Sequence, residues 1–349
     1  MEIILKNNLD LYVLLIFLVL LILKSSKAKE IELDRYLYKD TTNNLKGLAV
    51  IIVVFHHISL YLTEGSIFTF IFRNAGFLAV SIFLFMSGYG LTVQKIKKEN
   101  YLKGFIFNKI IKLYLIFFIS NITVTIINNL FLQTSYNIKD IISSSMRMNF
   151  SNGRELWFVA IILFCYLSFY ICFKFFDYKK GLILICLTPL MYICICKILG
   201  KGTWWYNTAF CFAIGVLVAT YKEKIFNIFK NRTGIYISLS IIIFMISMYF
   251  YIKGIATLQY IIPFIFIIII CSILIKFELN SKFLNFINKI SFEMYLVHLI
   301  VLKVTFKDAT EKGNLYLIIL FPIMIFLAYI VKLISDRIFN ILKSVIRLD

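Results

Sequence analysis

The sequence predicts an all-α, polytopic membrane protein with about eleven transmembrane helices. Of its 349 residues, 61% are hydrophobic, only three are proline, and the mean hydropathy is +0.89. This composition is typical of a multi-spanning membrane protein and unlike that of a soluble domain of this length. Apolar runs long enough to span a bilayer lie near residues 9–23, 45–62, 75–93, 105–132, 156–176, 181–200, 204–221, 234–252, 258–277, 289–305 and 315–334.

The runs divide the chain into four parts. We expect an N-terminal membrane anchor over 1–23, a basic cytoplasmic linker over 24–44, a ten-helix membrane domain over 45–340 and a cytoplasmic tail over 341–349. The first run is the weakest, and its alternative is a cleaved signal peptide with a poor cleavage site around Ser26-Lys27-Ala28. An uncleaved anchor is favoured because cleavage would spoil the charge asymmetry described next.

The net charge of +19 is distributed as in a membrane protein. If the N-terminus lies outside and eleven spans alternate, the cytoplasmic segments hold 26 of the 37 Lys and Arg residues. This asymmetry places the C-terminus in the cytoplasm and argues against nucleic acid as a partner. An excess of Ile, Lys, Asn and Phe resembles the codon bias of an AT-rich bacterium, so we expect a multi-pass protein of a bacterial inner (plasma) membrane.

Lys46 and His57 bound one apolar run and are eleven residues apart. At 100° per residue they return to within roughly 20° of the same helix face, about 16 Å apart along the axis. An ionisable group at membrane depth is a functional candidate by default. His57 is therefore a candidate general base, with Lys46 orienting or assisting it. His56 points to another side of the helix, where a structural hydrogen bond is the more ordinary explanation.

The remaining histidine belongs to a polar stripe. Ser291, Tyr295 and His298 follow helical spacing on an otherwise apolar segment. Such a stripe either lines a cavity or bonds a neighbouring helix, and the sequence leaves both open.

Lys109 and Lys112 lie one helical turn apart at the predicted cytoplasmic mouth of a span. Lysines at such a place commonly anchor a helix at the membrane surface. The functional alternative is a clamp for the phosphates of an anionic cytosolic donor.

Small residues between Gly76 and Gly90, among them Ser87, predict close approach of two helices. Trp157 suits the aromatic belt at a membrane interface. All seven cysteines fall inside predicted spans, where ordinary helix packing explains them. No metal site is predicted.

In chain order, these segments resemble the acyltransferase-3 family of integral-membrane O-acyltransferases. The family's motifs are an Arg/Lys-to-His run, an aromatic Ser-Gly segment, a basic pair, a Leu-Trp-Phe segment and a Ser-x₃-Tyr-Leu-x-His segment. They are matched here by Lys46 to His57, Phe83 to Tyr89, Lys109 with Lys112, Leu156 to Phe158, and Ser291 to His298. The similarity covers roughly residues 41–340. The arginines usual at positions 46, 109 and 112 are lysines here.

The resemblance implies transfer of an acyl group, commonly acetyl from acetyl-CoA, to a hydroxyl of a carbohydrate or glycolipid of the envelope. No permanently bound cofactor is implied, and acyl-CoA is a substrate. Lys109 and Lys112 would bind the donor phosphates, while His298, Tyr295, Trp157 and Ser87 would line the substrate cavity. A neutral, desolvated His57 would activate the acceptor hydroxyl, which is a poor nucleophile at neutral pH.

The alternative is a transporter or a flippase for a sugar-linked substrate. Such a protein would use the same buried polar stripe for passage without chemistry. The basic pair and the lack of repeated halves favour the acyltransferase.

Overall fold

A computed structural model describes residues 25–27, 32–62, 66–150, 156–307 and 313–346, and the predicted first span 9–23 lies outside this set. Two short strands, β1 (Ser25–Lys27) and β2 (Phe277–Leu279), pair antiparallel. The rest is helical. The helices are α1 (Lys39–Ser59), α2 (Ile67–Phe72), α3 (Gly76–Lys97), α4 (Ile106–Phe131), α5 (Ile138–Met146), α6 (Trp157–Phe175), α7 (Tyr178–Ile198), α8 (Phe210–Thr220), α9 (Lys222–Lys230), α10 (Thr233–Ile252), α11 (Ile262–Lys276), α12 (Lys282–Lys289), α13 (Ser291–Thr305) and α14 (Gly313–Ile346).

Each of the ten spans predicted between residues 45 and 334 coincides with a helix, so the all-α membrane fold is confirmed. Within the described residues, six helices are long and apolar enough to cross a membrane: α3, α4, α6, α7, α10 and α14. The count of eleven is not confirmed. The first turns of α1 are polar, and α8, α11 and α13 have only 11, 15 and 15 residues.

The helices differ in how deeply they are buried. In the most apolar 18-residue stretch of α3, 78% is buried inside the protein, whereas in the corresponding stretch of α10 only 6% is buried. Helix α3 therefore lies at the centre of the bundle, and α10 presents its apolar surface outward, where lipid satisfies it.

Glycine lets α3 and α8 approach each other at backbone distance. A Cβ atom on Gly88 would overlap the carbonyl oxygen of Phe212, and one on Gly215 would overlap that of Phe85. The predicted close approach at the small residues of the 76–90 segment is thus confirmed. Each of the two helices contributes a glycine that faces the backbone of the other.

Several short helices were not predicted. One of them, α5, forms hydrogen bonds with α4. Asn121 of α4 donates hydrogen bonds to the hydroxyls of Ser144 (2.9 Å) and Ser145 (2.8 Å), while the Tyr114 hydroxyl donates to the Ser145 carbonyl at 3.1 Å. Tyr114 precedes Phe131 by 17 residues, or about 25 Å of helix. The chain between the predicted spans 105–132 and 156–176 therefore folds back along α4.

Two predicted boundaries fall inside helices. Helix α1 begins at Lys39, within the predicted linker 24–44, and α14 continues to Ile346, past residue 340. The start of α1 is held by α12, because the Asn44 side chain accepts a hydrogen bond from the Ser281 backbone N–H at 3.0 Å. A Cβ on Gly47 would also overlap the Leu284 carbonyl oxygen. This contact fixes the part of α1 that carries Lys46.

The Gly88–Gly215 contact predicts the effect of added side chains. Gly88→Val should destabilise the fold by about 1–3 kcal/mol or more, because the new methyl groups meet backbone atoms that cannot rotate away. Gly90→Val is the matched control, since open space surrounds that position. The stability of each variant is measured by heating the detergent-purified protein and following the loss of folded protein by size-exclusion chromatography. Equal stability of the two variants would contradict the proposed packing.

Candidate functional site

Helices α1 and α13 bring the three histidines together. The ring centroids of His57 and His298 lie 4.9 Å apart, and those of His56 and His57 are also 4.9 Å apart. His298 is fully buried, whereas His56 and His57 are partly exposed. His298 is more than 200 residues away from His57 in the sequence, so the two rings come together only in the folded protein.

Backbone carbonyls orient two of the rings. The Nδ1 atom of His298 lies 2.6 Å from the carbonyl oxygen of Tyr295, and Nδ1 of His56 lies 3.0 Å from that of Phe72. Because a carbonyl can only accept, Nδ1 carries the proton in both rings, and Nε2 bears the lone pair when the imidazole is neutral. The His56 ring also packs against Gly76, where a Cβ would lie 2.5 Å from it. This anchoring agrees with the structural role expected for His56.

A cavity of about 350 Å³, here called the histidine cavity, opens beside His56 and His57. Its walls combine aromatic rings, amides and one arginine. The lining residues are Val53, His56, His57, Arg73, Asn74, Gly76, Phe77, Val80, Trp157, Thr203, Trp204, Asn207, Tyr251, Gln259 and Tyr295.

A second cavity of about 450 Å³, here called the basic cavity, contains three lysines. It lies between the first turns of α4, the middle of α3 and the start of α13. The lining residues are Lys46, Phe83, Ser87, Asn108, Lys109, Lys112, Leu113, Ile116, Phe158, Ile162, Tyr166, Asn288, Ser291, Phe292 and Tyr295.

Tyr295 lines both cavities and stands between them. Its ring meets that of Phe158 edge to face, with centroids 4.8 Å apart, and its centroid lies 5.7 Å from that of His298. Phe158 faces the basic cavity, while the preceding Trp157 faces the histidine cavity. An aromatic wall therefore separates a cationic chamber from an imidazole chamber.

The two predicted phosphate-binding lysines differ in their surroundings. Lys112 forms a 2.8 Å ion pair with Asp336 of α14, which also pairs with Lys332 at 2.8 Å. The Lys112 ammonium additionally lies 5.1 Å from the centre of the Phe339 ring. Lys109, by contrast, forms no ion pair with any residue in the described ranges. Because Asp336 is shared between two lysines, it offsets only part of the Lys112 charge, whereas Lys109 keeps its full charge.

The structure places every residue that was predicted for the site in or beside one of the two cavities. Lys46, Lys109, Lys112 and Ser87 line the basic cavity, His57 and Trp157 line the histidine cavity, and His298 contacts His57. Lys46 and His57, which were predicted to lie on one helix face, line different cavities.

Sequence reasoning missed part of the site. Arg73, Asn74, Asn207 and Gln259 line the histidine cavity, and Asp336 pairs with Lys112. The one available signal was an amide directly after an aromatic run, Trp204 to Asn207. Within the described ranges, no group of three His, Cys, Asp or Glu residues is arranged to hold a metal ion.

The fold and site define a multi-helix membrane protein in which two chemically different chambers meet at an aromatic wall. The family model described as an acyltransferase domain matches residues 41–333. The chain therefore belongs to the acyltransferase-3 family of membrane acyltransferases, as the motifs indicated. No curated protein and no solved structure matches the chain.

The aromatic wall predicts a difference in access from the two faces of the membrane. We expect a membrane-impermeant maleimide to label Ser87→Cys from one face and Asn74→Cys from the other. Adding Tyr295→Ala to Ser87→Cys should permit labelling from both faces, whereas Tyr295→Phe should not. Sealed vesicles of the two orientations provide the measurement, and the unsubstituted chain gives the background from its seven cysteines. Labelling of Ser87→Cys from both faces with Tyr295 intact would show that no wall exists.

Proposed function

We propose that the protein transfers an acyl group, in the first instance acetyl from acetyl-CoA, to a hydroxyl group of an envelope glycan, glycan precursor or glycolipid. The observation that carries this proposal is the meeting of a basic cavity and a histidine cavity at Tyr295. One cavity suits a polyanionic donor and the other suits a hydroxyl that must lose a proton.

The donor end of the proposal rests on charge. Acyl-CoA carries several phosphate charges, and Lys109 offers an ammonium that is not already paired within the described residues. Lys112 contributes more weakly because Asp336, which it shares with Lys332, offsets part of its charge. Lys46 lies in the same cavity, about 16 Å of helix away from His57. We therefore assign Lys46 to donor binding in place of direct assistance to His57.

The acceptor end rests on His57. Its imidazole would accept the proton of the acceptor hydroxyl as the oxygen attacks the thioester carbonyl carbon. A carbon–oxygen bond then forms, the carbon–sulfur bond breaks, and the proton passes from the imidazolium to the departing CoA thiolate. The acyl carbon has to reach His57 past Tyr295 and Phe158. His298, fixed by its bond to Tyr295, would hold the His57 ring in place.

The orientation in the membrane follows the distribution of basic residues. We place the basic cavity at the cytoplasmic face of a bacterial inner membrane, with the N-terminus outside and the C-terminus in the cytoplasm. The donor then binds where acyl-CoA is made, and the histidine cavity faces the envelope.

Removal of the proposed base should abolish catalysis. His57→Ala should lower acyl transfer by about 10²- to 10⁴-fold, the usual contribution of a general base. His56→Ala should have a milder effect, since that ring is anchored to the Phe72 carbonyl. Isolated membranes supplied with radiolabelled acetyl-CoA report both acyl-CoA consumption and label in envelope saccharides.

Two results would count against this assignment. Full transfer by a correctly inserted His57→Ala protein would exclude His57 as the base. Membranes of the unsubstituted protein that consume no acyl-CoA while moving a sugar-linked substrate would favour the transporter.

The lysines predict an order of effects on donor binding. Lys109→Gln should raise the Kd for CoA by about tenfold or more, because it removes a charged hydrogen-bond donor from the basic cavity. Lys112→Gln should have a smaller effect, since Asp336 already pairs with that lysine. Lys103→Gln, at an exposed position in the preceding turn, is the control. Calorimetric titration with CoA at low and high salt gives the affinities, and equal losses for all three variants would contradict the assignment.

A further inference from the structure

Two amide side chains project into the histidine cavity from separate loops. Asn207 follows a 3₁₀ turn at Thr203–Trp205, and Gln259 lies in a second 3₁₀ turn at Ala256–Tyr260. Each residue is only 7% exposed, yet both line the cavity wall. Amides are expensive to bury, so two of them converging on one cavity need a physical reason.

The side-chain oxygen of Asn207 gives the stronger evidence for a ligand. It is buried and accepts no hydrogen bond from any residue in the described part of the chain. Buried polar atoms are nearly always bonded, so an unpartnered one on a residue that lines a cavity points to a ligand that reaches it. An amide oxygen can only accept, so the ligand must present a donor there. A hydroxyl fits, whereas an ionised phosphate or carboxylate does not.

The other walls of the cavity suit the body of such a ligand. Trp157, Trp204 and Tyr251 contribute broad aromatic faces, and Trp204 is 56% exposed. Aromatic faces pack against the carbon–hydrogen face of a sugar ring while amides bond its hydroxyls. At about 30 Å³ per water molecule, 350 Å³ corresponds to about twelve waters, which is enough for one pyranose ring.

We propose that Asn207 and Gln259 form an acceptor subsite that binds a sugar ring through its hydroxyl groups. Asn207 accepts a hydrogen bond from one hydroxyl, and Gln259 can donate to and accept from others. The role of this subsite in catalysis rests on the proposed acyl transfer, in which it would present one hydroxyl to His57. Sugar binding itself does not depend on that reaction.

Tryptophan fluorescence of the full-length protein in lipid nanodiscs measures binding directly, because two of the three tryptophans line the cavity. The probes are the methyl α-glycosides of glucose, galactose and N-acetylglucosamine. 2-Methoxytetrahydropyran, a related ring without ring hydroxyls, serves as the control ligand. At least one glycoside should change the tryptophan fluorescence and saturate the change below about 100 mM, which is a hundred times a Kd of about 1 mM. The control ligand should leave the fluorescence unchanged.

Asn207→Ala should weaken the response by about tenfold or more, and Asn207→Asp, which keeps an acceptor, should restore part of it. Asn227→Ala on the exposed face of α9 is the matched control and should bind as the unsubstituted protein does. Because the Asn207 oxygen bonds nothing in the described chain, Asn207→Ala should not lower Tm. A purely structural asparagine would lower it.

The subsite is wrong if no glycoside binds, if the control ligand binds equally well, or if Asn207→Ala binds unchanged or unfolds at a lower temperature. A parallel assay of acetyl-CoA consumption by membranes that contain the unsubstituted protein separates the two proposals. Consumption without sugar binding would reject the subsite alone. Asn207-dependent sugar binding without any use of acetyl-CoA would reject the acyl transfer alone.

Discussion

The hydrogen bond between His298 and the Tyr295 carbonyl, at 2.6 Å, is the contact on which the centre of the protein depends. It lies on α13, a helix buried between α1, α4 and α14, where a polar ring needs a partner. The bond places the proton of His298 on Nδ1 and holds the ring beside His57. It also ties the imidazole to the residue whose side chain divides the cavities. One local contact thus aligns the histidine cluster with the aromatic wall.

Around this contact, residue size decides where helices touch and where they separate. Gly88 and Gly215 allow α3 and α8 to meet at backbone distance, and Gly47 does the same for α1 and α12. Where the facing side chains are long, as with Lys109 and Tyr295, the helices leave a cavity. These close contacts fix the positions of α1 and α3, which carry Lys46, His57 and Ser87 in the cavity walls.

Much of this arrangement could be predicted from the sequence. Apolar run length located the ten helices, and helical spacing assigned Lys46 and His57 to one helix. Spacing describes only the helix that carries it, so it could not reveal that Tyr295, more than 230 residues away, lies between the two cavities. The pairing of Asp336 with Lys112 could not be predicted for the same reason. Asn207 and Gln259 were missed because amides are ordinary in loops, and only burial distinguishes them.

The fold-back of α5 shows a further limit. Its packing depends on the pairing of Asn121 with Ser144 and Ser145, and each of these residues alone is an unremarkable polar residue. Hydropathy averages over a window and cannot register such a pairing. Hydropathy did locate α8 and α13 but made α8 too long, since the run was predicted over 204–221 and the helix spans Phe210–Thr220. The surrounding protein covers both helices, so neither needs to match the full thickness of a bilayer.

A two-chamber site favours group transfer over transport on physical grounds. A transporter carries one substrate through the membrane, so its passage must accommodate the whole molecule. Here the chemistry changes at Tyr295 from three lysines on one side to imidazoles, amides and a single arginine on the other. Two substrates held on opposite sides of such a wall would need to pass only an acyl group from one to the other, and an acetyl group is small and uncharged. The bulky polyanion and the hydroxylated acceptor would each remain in its own chamber, and the aromatic side chains between the chambers would then keep water and ions from crossing.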